Sequence, residues 1–532
     1  MHLKRQCYLS LDLSTQSLKA LVTTDDLKII FEHTINFDTD LPEFQTKDGV
    51  HRHPDGITIT SPTLMWVKAI DQILMVLHSS DEVTLDEICM VSGTAQQHGS
   101  VYWKKAAELT LAHLNSNSSL VDQLQECFAM TDSPVWMDAS TTQQCRDLEQ
   151  KIDGGYGLAQ LTGSRAFERF TANQITKIYR CHRESYVNCD HISLVSSFVA
   201  SIFVGKYAPI DYSDGSGMNL LNIRTRKWEE TLLDACAPYL SDRLGEPVPS
   251  NKIIGKVSGY LQQRYGFSPD CQVLAFTGDN PAALAGMCLS SGDVAVSLGT
   301  SDTLLFWCDK ANPKPTGHVF VNPIEETEFM SMLCFKNGSL PRQEVCDRVC
   351  EGSWEKFNET LKTTEAGNNG TIAINFREME ILPHAKGVHM INSDDIRLSE
   401  LEPRDEVRAV IEGQFLAKRL HAESFGFQKG STSRILATGG ASQNPAILQI
   451  LSNVFNLPVY TLPSTSNATC IGCIYRCKQA ALGGSKADFF EAVKSVAPPK
   501  LVCEPMADVV TIYDNLMKRY ETFEKSIVDS DD

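Results

Sequence analysis

Positive charge is scarce in this chain: 48 Lys and Arg stand against 66 Asp and Glu in 532 residues, a formal net charge of −18. So acidic a chain is a poor general binder of nucleic acid or anionic lipid. Any phosphate it holds must be held locally, by backbone N–H groups, a helix N-terminus or a metal. Long apolar runs are missing as well. No segment approaches the ~20 apolar residues that cross a bilayer, and the opening run Met1-His2-Leu3-Lys4-Arg5-Gln6-Cys7 lacks the apolar core of a secretory leader. The expectation is a cytoplasmic protein with no nucleic-acid or membrane partner. Several motifs are absent too: G-x-x-x-x-G-K-[ST], a G-x-G-x-x-G after a strand, H-E-x-x-H and G-x-S-x-G. P-loop NTPases, protein kinases, Rossmann dehydrogenases, zincins and α/β-hydrolases lose support accordingly.

What is present is ordinary globular chemistry, with 42% hydrophobic and 21% charged residues, and a length that suggests two or more domains. The 17 cysteines are scattered and odd in number, unlike a secreted disulfide scaffold, and read as reduced thiols. Cys470, Cys473 and Cys477 share a helix face, as a buried apolar stripe or as a metal or redox site. The acidic tail Asp529-Ser530-Asp531-Asp532 is expected to fray.

Along the chain, residues 7–24 alternate apolar and polar around the turn Ser14-Thr15-Gln16-Ser17, predicting two strands. A helix is expected over Thr63–His78 and a buried strand over Ile88–Ser92, ending in Gly93-Thr94-Ala95. Residues 140–210 read as mainly helical and 211–217, DYSDGSG, as a loop. Val273–Phe276 is a strand that gives way at Thr277-Gly278-Asp279-Asn280-Pro281 to a helix, with Pro281 suited to its first turn. Val294–Leu298 and Thr303–Trp307 flank Gly299-Thr300-Ser301-Asp302 and echo the first hairpin. Two such hairpins, each opening about half the chain, suggest an internal duplication with a boundary near residue 290, although the match is short. Strand Arg434–Ala437, the turn Thr438-Gly439-Gly440-Ala441, an Asn444-capped helix, strand Leu457–Thr461 and a small-residue helix over Asn467–Leu482 complete an α/β pattern.

The candidate functional residues sit on turns at strand ends, where α/β proteins bind ligands. Phosphoryl transfer needs N–H groups on the phosphates, a Mg²⁺ near a carboxylate, and a base for the acceptor hydroxyl. Asp12 ends a strand before the hydroxyl-rich turn Ser14–Ser17, which serves equally as a hairpin turn. Gly299–Asp302 is its counterpart; facing each other across a cleft, the two would clamp phosphates from both sides. Asp279 stands where a strand becomes a helix, fit for a base or for a cap. Gly439–Asn444 lets a flat nucleotide approach the backbone. Gln96-Gln97-His98-Gly99, Trp136-Met137-Asp138 and Glu168-Arg169-Phe170 offer the amide, imidazole, guanidinium and carboxylate groups that hold sugar hydroxyls.

Taken in order from about residue 7 to about residue 485, these segments resemble the FGGY carbohydrate kinases, which share the actin and sugar-kinase ATPase fold. Asp12–Ser17 resembles the family's first phosphate motif and Ser297–Thr300 its second. Gly278-Asp279-Asn280 resembles its catalytic-base motif, and Thr438–Asn444 its adenosine motif. Gln97-His98-Gly99, Glu168-Arg169-Phe170-Thr171 and Gly352-Ser353-Trp354 are similar to the eukaryotic xylulose kinase branch. Two features depart from the pattern: Ser14 stands where many members have Gly, and the aromatic signature is only partly present at Lys177-Ile178-Tyr179.

The resemblance implies two duplicated ribonuclease H-like α/β domains around a central cleft, residues 1–289 binding sugar and 290–532 binding nucleotide. It implies ATP-dependent phosphorylation of D-xylulose, with Asp279 as general base and His98, Arg169, Asp279 and Asn280 on the sugar. Thr15, Thr300, Trp354, Gly440, Ala441 and Asn444 would then hold ATP, and Asp12 a Mg²⁺. Such a protein works as a monomer or dimer on small molecules. A kinase of ribulose, gluconate or glycerol stays open as an alternative, as does a non-catalytic actin-like protein.

Overall fold

The computed structural model describes residues 5–462 and 467–531, with backbone alone at 529–531. It divides into two compact units. One comprises Met1–Cys288, Phe320–Glu328 and Ser466–Val496, the other Leu289–Val319, Phe329–Thr465 and Ala497–Asp532.

In the first unit the alternating residues at the start of the chain form an antiparallel hairpin, β1 (Cys7–Leu13) and β2 (Ser17–Thr24), which places Asp12 opposite Lys19. β3 (Ile29–Asn36) continues the hairpin, and β4 (Ile88–Ala95), β5 (Ile253–Lys256), β6 (Gln272–Leu274) and the short β7 (Thr277–Gly278) complete the sheet. The order is β5-β6-β4-β1-β2-β3, with β7 also on β4. β1, β6 and β7 run parallel to β4. Ala95 is in register with both Leu13 and Gly278, so the C-terminal ends of β1, β4 and β7 lie side by side.

The pleat gives the sheet two buried faces. Leu9, Leu11, Leu13 and Val91 meet Trp66 and Ile70 of the helix Thr63–His78 and Phe198 of the helix Val195–Val204. Tyr8, Leu21, Met90 and Leu274 point the other way, onto Cys470, Ile474 and Cys477 of the helix Ala468–Leu482. That helix, which the sequence reading leaves in the second half, packs within the first unit because its small face admits another backbone. A Cβ on Gly472 would stand 1.9 Å from the Ala282 carbonyl oxygen, and one on Gly286 1.8 Å from that of Ala468. The thiols of Cys470, Cys473 and Cys477 are buried on this helix, Cys470 and Cys477 in the apolar cluster under the sheet.

The second unit repeats the local plan. β8 (Val294–Leu298) and β9 (Asp302–Cys308) form a hairpin, and β8 runs parallel to β11 (Ile435–Thr438). With β10 (Phe329–Phe335), β12 (Val459–Thr461) and β13 (Lys500–Cys503), six of the sheet's seven strands run in the order β10-β9-β8-β11-β12-β13, and the seventh, His318–Val321, flanks β10.

Two expectations are corrected. Within the stretch read as mainly helical, Cys189–Leu194 is a strand paired antiparallel with Ser100–Lys104; its six residues mix polar with apolar and are buried except Asp190, so no strand period shows in the sequence. DYSDGSG is not an open loop: Asp211 caps a helical turn over Tyr212–Gly215 by accepting from the Asp214 N–H at 3.1 Å, and a 3₁₀ turn follows at Ser216–Met218. At the other end, the backbone of the acidic tail continues the helix Val510–Asp531; Asp532 and the tail's side chains lie outside the described residues, as do Met1–Lys4 of the opening run. No described helix is long and apolar enough to cross a membrane.

Candidate active site

The strand ends of the first unit carry two carboxylates. Asp12, the last but one residue of β1, accepts from Thr469 Oγ1 at 2.6 Å through Oδ2, while its buried Oδ1 has no partner. Burial pushes its carboxyl up, against the pull of the Thr469 hydrogen bond and Lys19. Asp279 opens the helix Asp279–Gly286 directly after β7. Its Oδ1 accepts from the Asn280 backbone N–H at 2.7 Å and the Asn280 amide at 3.0 Å. Burial, then the negative charge of Asp12, push its carboxyl up to about 7. A carboxylate whose charge raises its neighbour and whose second oxygen is orphaned suits a divalent cation. Mg²⁺ takes one or two carboxylates and fills its remaining positions with water and phosphate oxygens.

His98 is in the left-handed region, φ 71°, and buried, a conformation in which His is more common than most side chains. Its ring stacks on Phe170 at 4.3 Å between centroids. Nδ1 donates to the Gly217 carbonyl at 2.8 Å, which fixes the tautomer because a carbonyl only accepts. With the proton on Nδ1, Nε2 is left as an acceptor. Burial, reinforced by Arg169, pushes the imidazole down to about 3, so it stays neutral. The Arg169 guanidinium lies over the rings of Phe167 and Phe170, at 4.8 and 5.6 Å. A neutral imidazole, a cation and aromatic faces are thereby gathered next to Gln97, whose amide oxygen meets Asn280, the neighbour of Asp279.

Their connection runs through residues the sequence reading did not single out by role. Gln97 accepts from Asn280 Nδ2 at 2.9 Å and donates to Asp214 Oδ1 at 3.3 Å, and Asp214 accepts from Ser196 Oγ at 2.6 Å. Burial, then Asp211, push the Asp214 carboxyl well above its usual range. Asp138, by contrast, accepts from the Ile59 N–H, Ser140 and Gln174. It is saturated by the chain around it and is a scaffold group, not a sugar ligand. Thr15 stands on the turn after β1 and accepts from Trp136 Nε1 at 2.8 Å; it touches neither carboxylate in the described hydrogen bonds. Ser14 has no left-handed φ, so the turn tolerates it where a glycine is common.

In the second unit Thr300, Trp354, Gly440, Ala441 and Asn444 all line one cavity of about 610 Å³, a volume in the range of small-molecule sites. A Cβ on Gly440 would meet nothing within 4 Å, whereas one on Gly439, at φ 81°, would strike the backbone of Leu298 at 2.6 Å. Gly439 is the close packing and Gly440 the open floor. Asn444 caps the helix Pro445–Phe455 through Oδ1 and donates to Asn358 Oδ1 at 2.7 Å, so its side chain mostly shapes the wall. The turn at Gly299–Thr300 is anchored from behind. Buried Asp302 takes Arg342 at 2.9 and 3.0 Å and Lys418 at 2.9 Å, and Arg342 reaches the Gly299 carbonyl at 3.4 Å. Burial alone would raise the Asp302 carboxyl; the two cations outweigh it and hold it low. Asp302, read as part of a phosphate turn, is therefore its anchor.

Family models match over residues 7–286, the N-terminal domain of the FGGY family of carbohydrate kinases, and 294–481, its C-terminal domain. The chain belongs to the FGGY family of carbohydrate kinases. It is a carbohydrate kinase, 50% identical over 524 residues to "Xylulose kinase" of Rattus norvegicus, covering 98% of this chain and 97% of the relative. To "Xylulose kinase 2" of Arabidopsis thaliana it is 41% identical over 546 residues, 98% of this chain and 97% of the relative. Its fold is similar to the crystal structure of xylulose kinase from Rhodospirillum rubrum, with a TM-score of 0.78 at 14% identity over 98% of this chain and 99% of that one. The FGGY kinase fold thus accounts for both units as ribonuclease H-like α/β domains of the actin and sugar-kinase type.

Proposed function

We propose that this FGGY kinase phosphorylates the 5-hydroxyl of D-xylulose from ATP, giving D-xylulose 5-phosphate and ADP. The observation that carries the reading is the 50% identity across 98% of the chain to a xylulose kinase. The site chemistry agrees with it. Asp279, its carboxyl pushed up to about 7, has the proton affinity of a base working near neutral pH. It takes the hydroxyl proton as that oxygen attacks the γ-phosphorus in line. Asn280 orients the carboxylate; neutral His98 accepts from a second hydroxyl through Nε2; Arg169 donates to a third oxygen. Thr15 and Thr300 donate to the phosphates, and Trp354, Gly440, Ala441 and Asn444 bound the adenosine. Asp12 would hold Mg²⁺, which when bound neutralises charge on the phosphoryl oxygens.

The test is ADP release with Mg²⁺ and ATP, comparing D-xylulose with D-ribulose, gluconate, glycerol and no acceptor. A response led by D-xylulose is expected. A response led by another acceptor overturns the sugar assignment while keeping the kinase.

A further inference from the structure

Thr94 and Gln96, at the end of β4, have side chains that nothing in the fold uses. Thr94 is in register with Asp12 on one side and Thr277 on the other. Gln96 follows Ala95, and its backbone N–H donates to the Leu13 carbonyl at 2.9 Å, carrying the ladder one residue further. Residues two apart on a strand share a face, as do partners in register, so Thr94 and Gln96 stand on the face of Asp12. Both are buried, at 0% and 2% exposure. Yet Thr94 Oγ1, Gln96 Oε1, Gln96 Nε2 and Asp12 Oδ1 all lack a hydrogen-bond partner. Buried polar atoms are nearly always paired, and four orphans in one patch call for an occupant. The turn itself does not cause this: the adjacent Gln97 uses both of its amide atoms, on Asn280 and Asp214.

We infer that Thr94 and Gln96 form the outer layer of the divalent-cation site, their oxygens accepting hydrogen bonds from the water ligands of an ion held at Asp12. The inference rests on the Mg²⁺ reading of Asp12. Mg²⁺ dehydrates reluctantly and keeps several waters. With no group of three or more His, Cys, Asp or Glu suited to an ion among the described residues, water must supply much of the shell. Water bound to a dication is a strong donor and needs acceptors, and groups that orient ligands in this way commonly change affinity 10–100-fold. A hydroxyl and an amide suit that task better than further carboxylates, which would repel Asp12 and Asp279 in the empty site.

The experiment is titration of the full chain with Mn²⁺ alone, following the free ion by electron paramagnetic resonance, for the native sequence, Thr94→Val, Thr94→Ser, Gln96→Met and Asp12→Asn. Thr94→Val and Gln96→Met should bind Mn²⁺ roughly 10-fold or more weakly, and Thr94→Ser, which keeps the hydroxyl, like the native chain. Thermal unfolding without metal separates a structural role. Removing an orphaned polar group should leave the metal-free Tm level or raise it, while the Mn²⁺-dependent rise in Tm shrinks. Native Mn²⁺ affinity in Thr94→Val and Gln96→Met, or a lowered metal-free Tm with unaltered Mn²⁺ affinity, overturns the inference. If Asp12→Asn abolishes binding while those variants bind normally, only this outer layer fails. If Asp12→Asn binds normally, the reading of Asp12 fails with it.

Discussion

Asp279 and His98 are set for opposite work by their surroundings. Asp279 is a carboxyl whose proton affinity is raised by burial and by Asp12; His98 is an imidazole whose proton affinity is lowered by burial and by Arg169. For Asp279→Asn we expect kcat to fall about 10²–10⁴-fold with ADP affinity within twofold of native, measured by steady-state kinetics and calorimetry. With native Asp279 the sign is fixed by the raised pKa: the carboxyl is protonated below about 7, so kcat/KM should decline as pH falls through that value. A flat profile from pH 5 to 8 would remove Asp279 as the base. His98, pushed down to about 3, should stay neutral over the same range, which histidine-selective nitrogen NMR can read directly. His98→Asn keeps a side chain tolerant of the left-handed backbone and should raise the sugar KM on the order of 10-fold, leaving the ATP KM unchanged. A raised ATP KM instead would move His98 off the sugar. Gly440 sits over open space, so Gly440→Leu should fold normally and weaken ADP by intruding on the cavity, a loss of roughly 10-fold or more.

At the level of elements, each hairpin turn is held by something distant. The turn at Gly299–Thr300 hangs on Arg342, and Arg342 on Asp302. Asp302→Asn leaves Arg342 and Lys418 buried together without their counter-charge, and should destabilise the second unit by about 3–5 kcal/mol, read by urea unfolding. Loss of less than about 1 kcal/mol would mean the triad is not the anchor described. These dependences explain what a sequence can disclose. Asp12 and Asp279 were legible because each breaks an apolar strand at a polar turn, a local event. The β1–β2 and β8–β9 hairpins were legible through alternation, and the capped helix at Asn444 through its Asn-Pro grammar. Asp214 and Arg342 were not. Asp214 meets Gln97 across 117 residues and Arg342 meets Asp302 across 40, and no spacing rule connects them. Asp138 misled for the converse reason: acidic groups beside aromatics look alike whether they face a ligand or, as here, a saturated loop. Thr94 drew no attention in a run of small strand residues; only the absence of partners distinguishes it.

Across the whole molecule, a helix from near the end of the chain finishes the unit that the beginning starts. Gly472 and Gly286 let the helices Ala468–Leu482 and Asp279–Gly286 approach backbone to backbone. Gly472→Ala forces a methyl toward a carbonyl at 1.9 Å and should destabilise by about 1–3 kcal/mol or more. Because Thr469 on the same helix holds Asp12, the variant should also weaken Mn²⁺ binding; a change in Tm of less than a degree would show that the helices can separate at no cost. The return of this helix bears on how the protein is made. During synthesis the face of Tyr8, Leu21, Met90 and Leu274 emerges from the ribosome early, and its cover, Cys470, Ile474 and Cys477, comes almost two hundred residues after the first unit's main stretch ends at Cys288. Vectorial folding cannot close this unit as it emerges. The nascent chain must keep an apolar sheet face open while the second unit is translated, which makes that interval the point at which a chaperone, or a stalled ribosome, decides the yield of active enzyme.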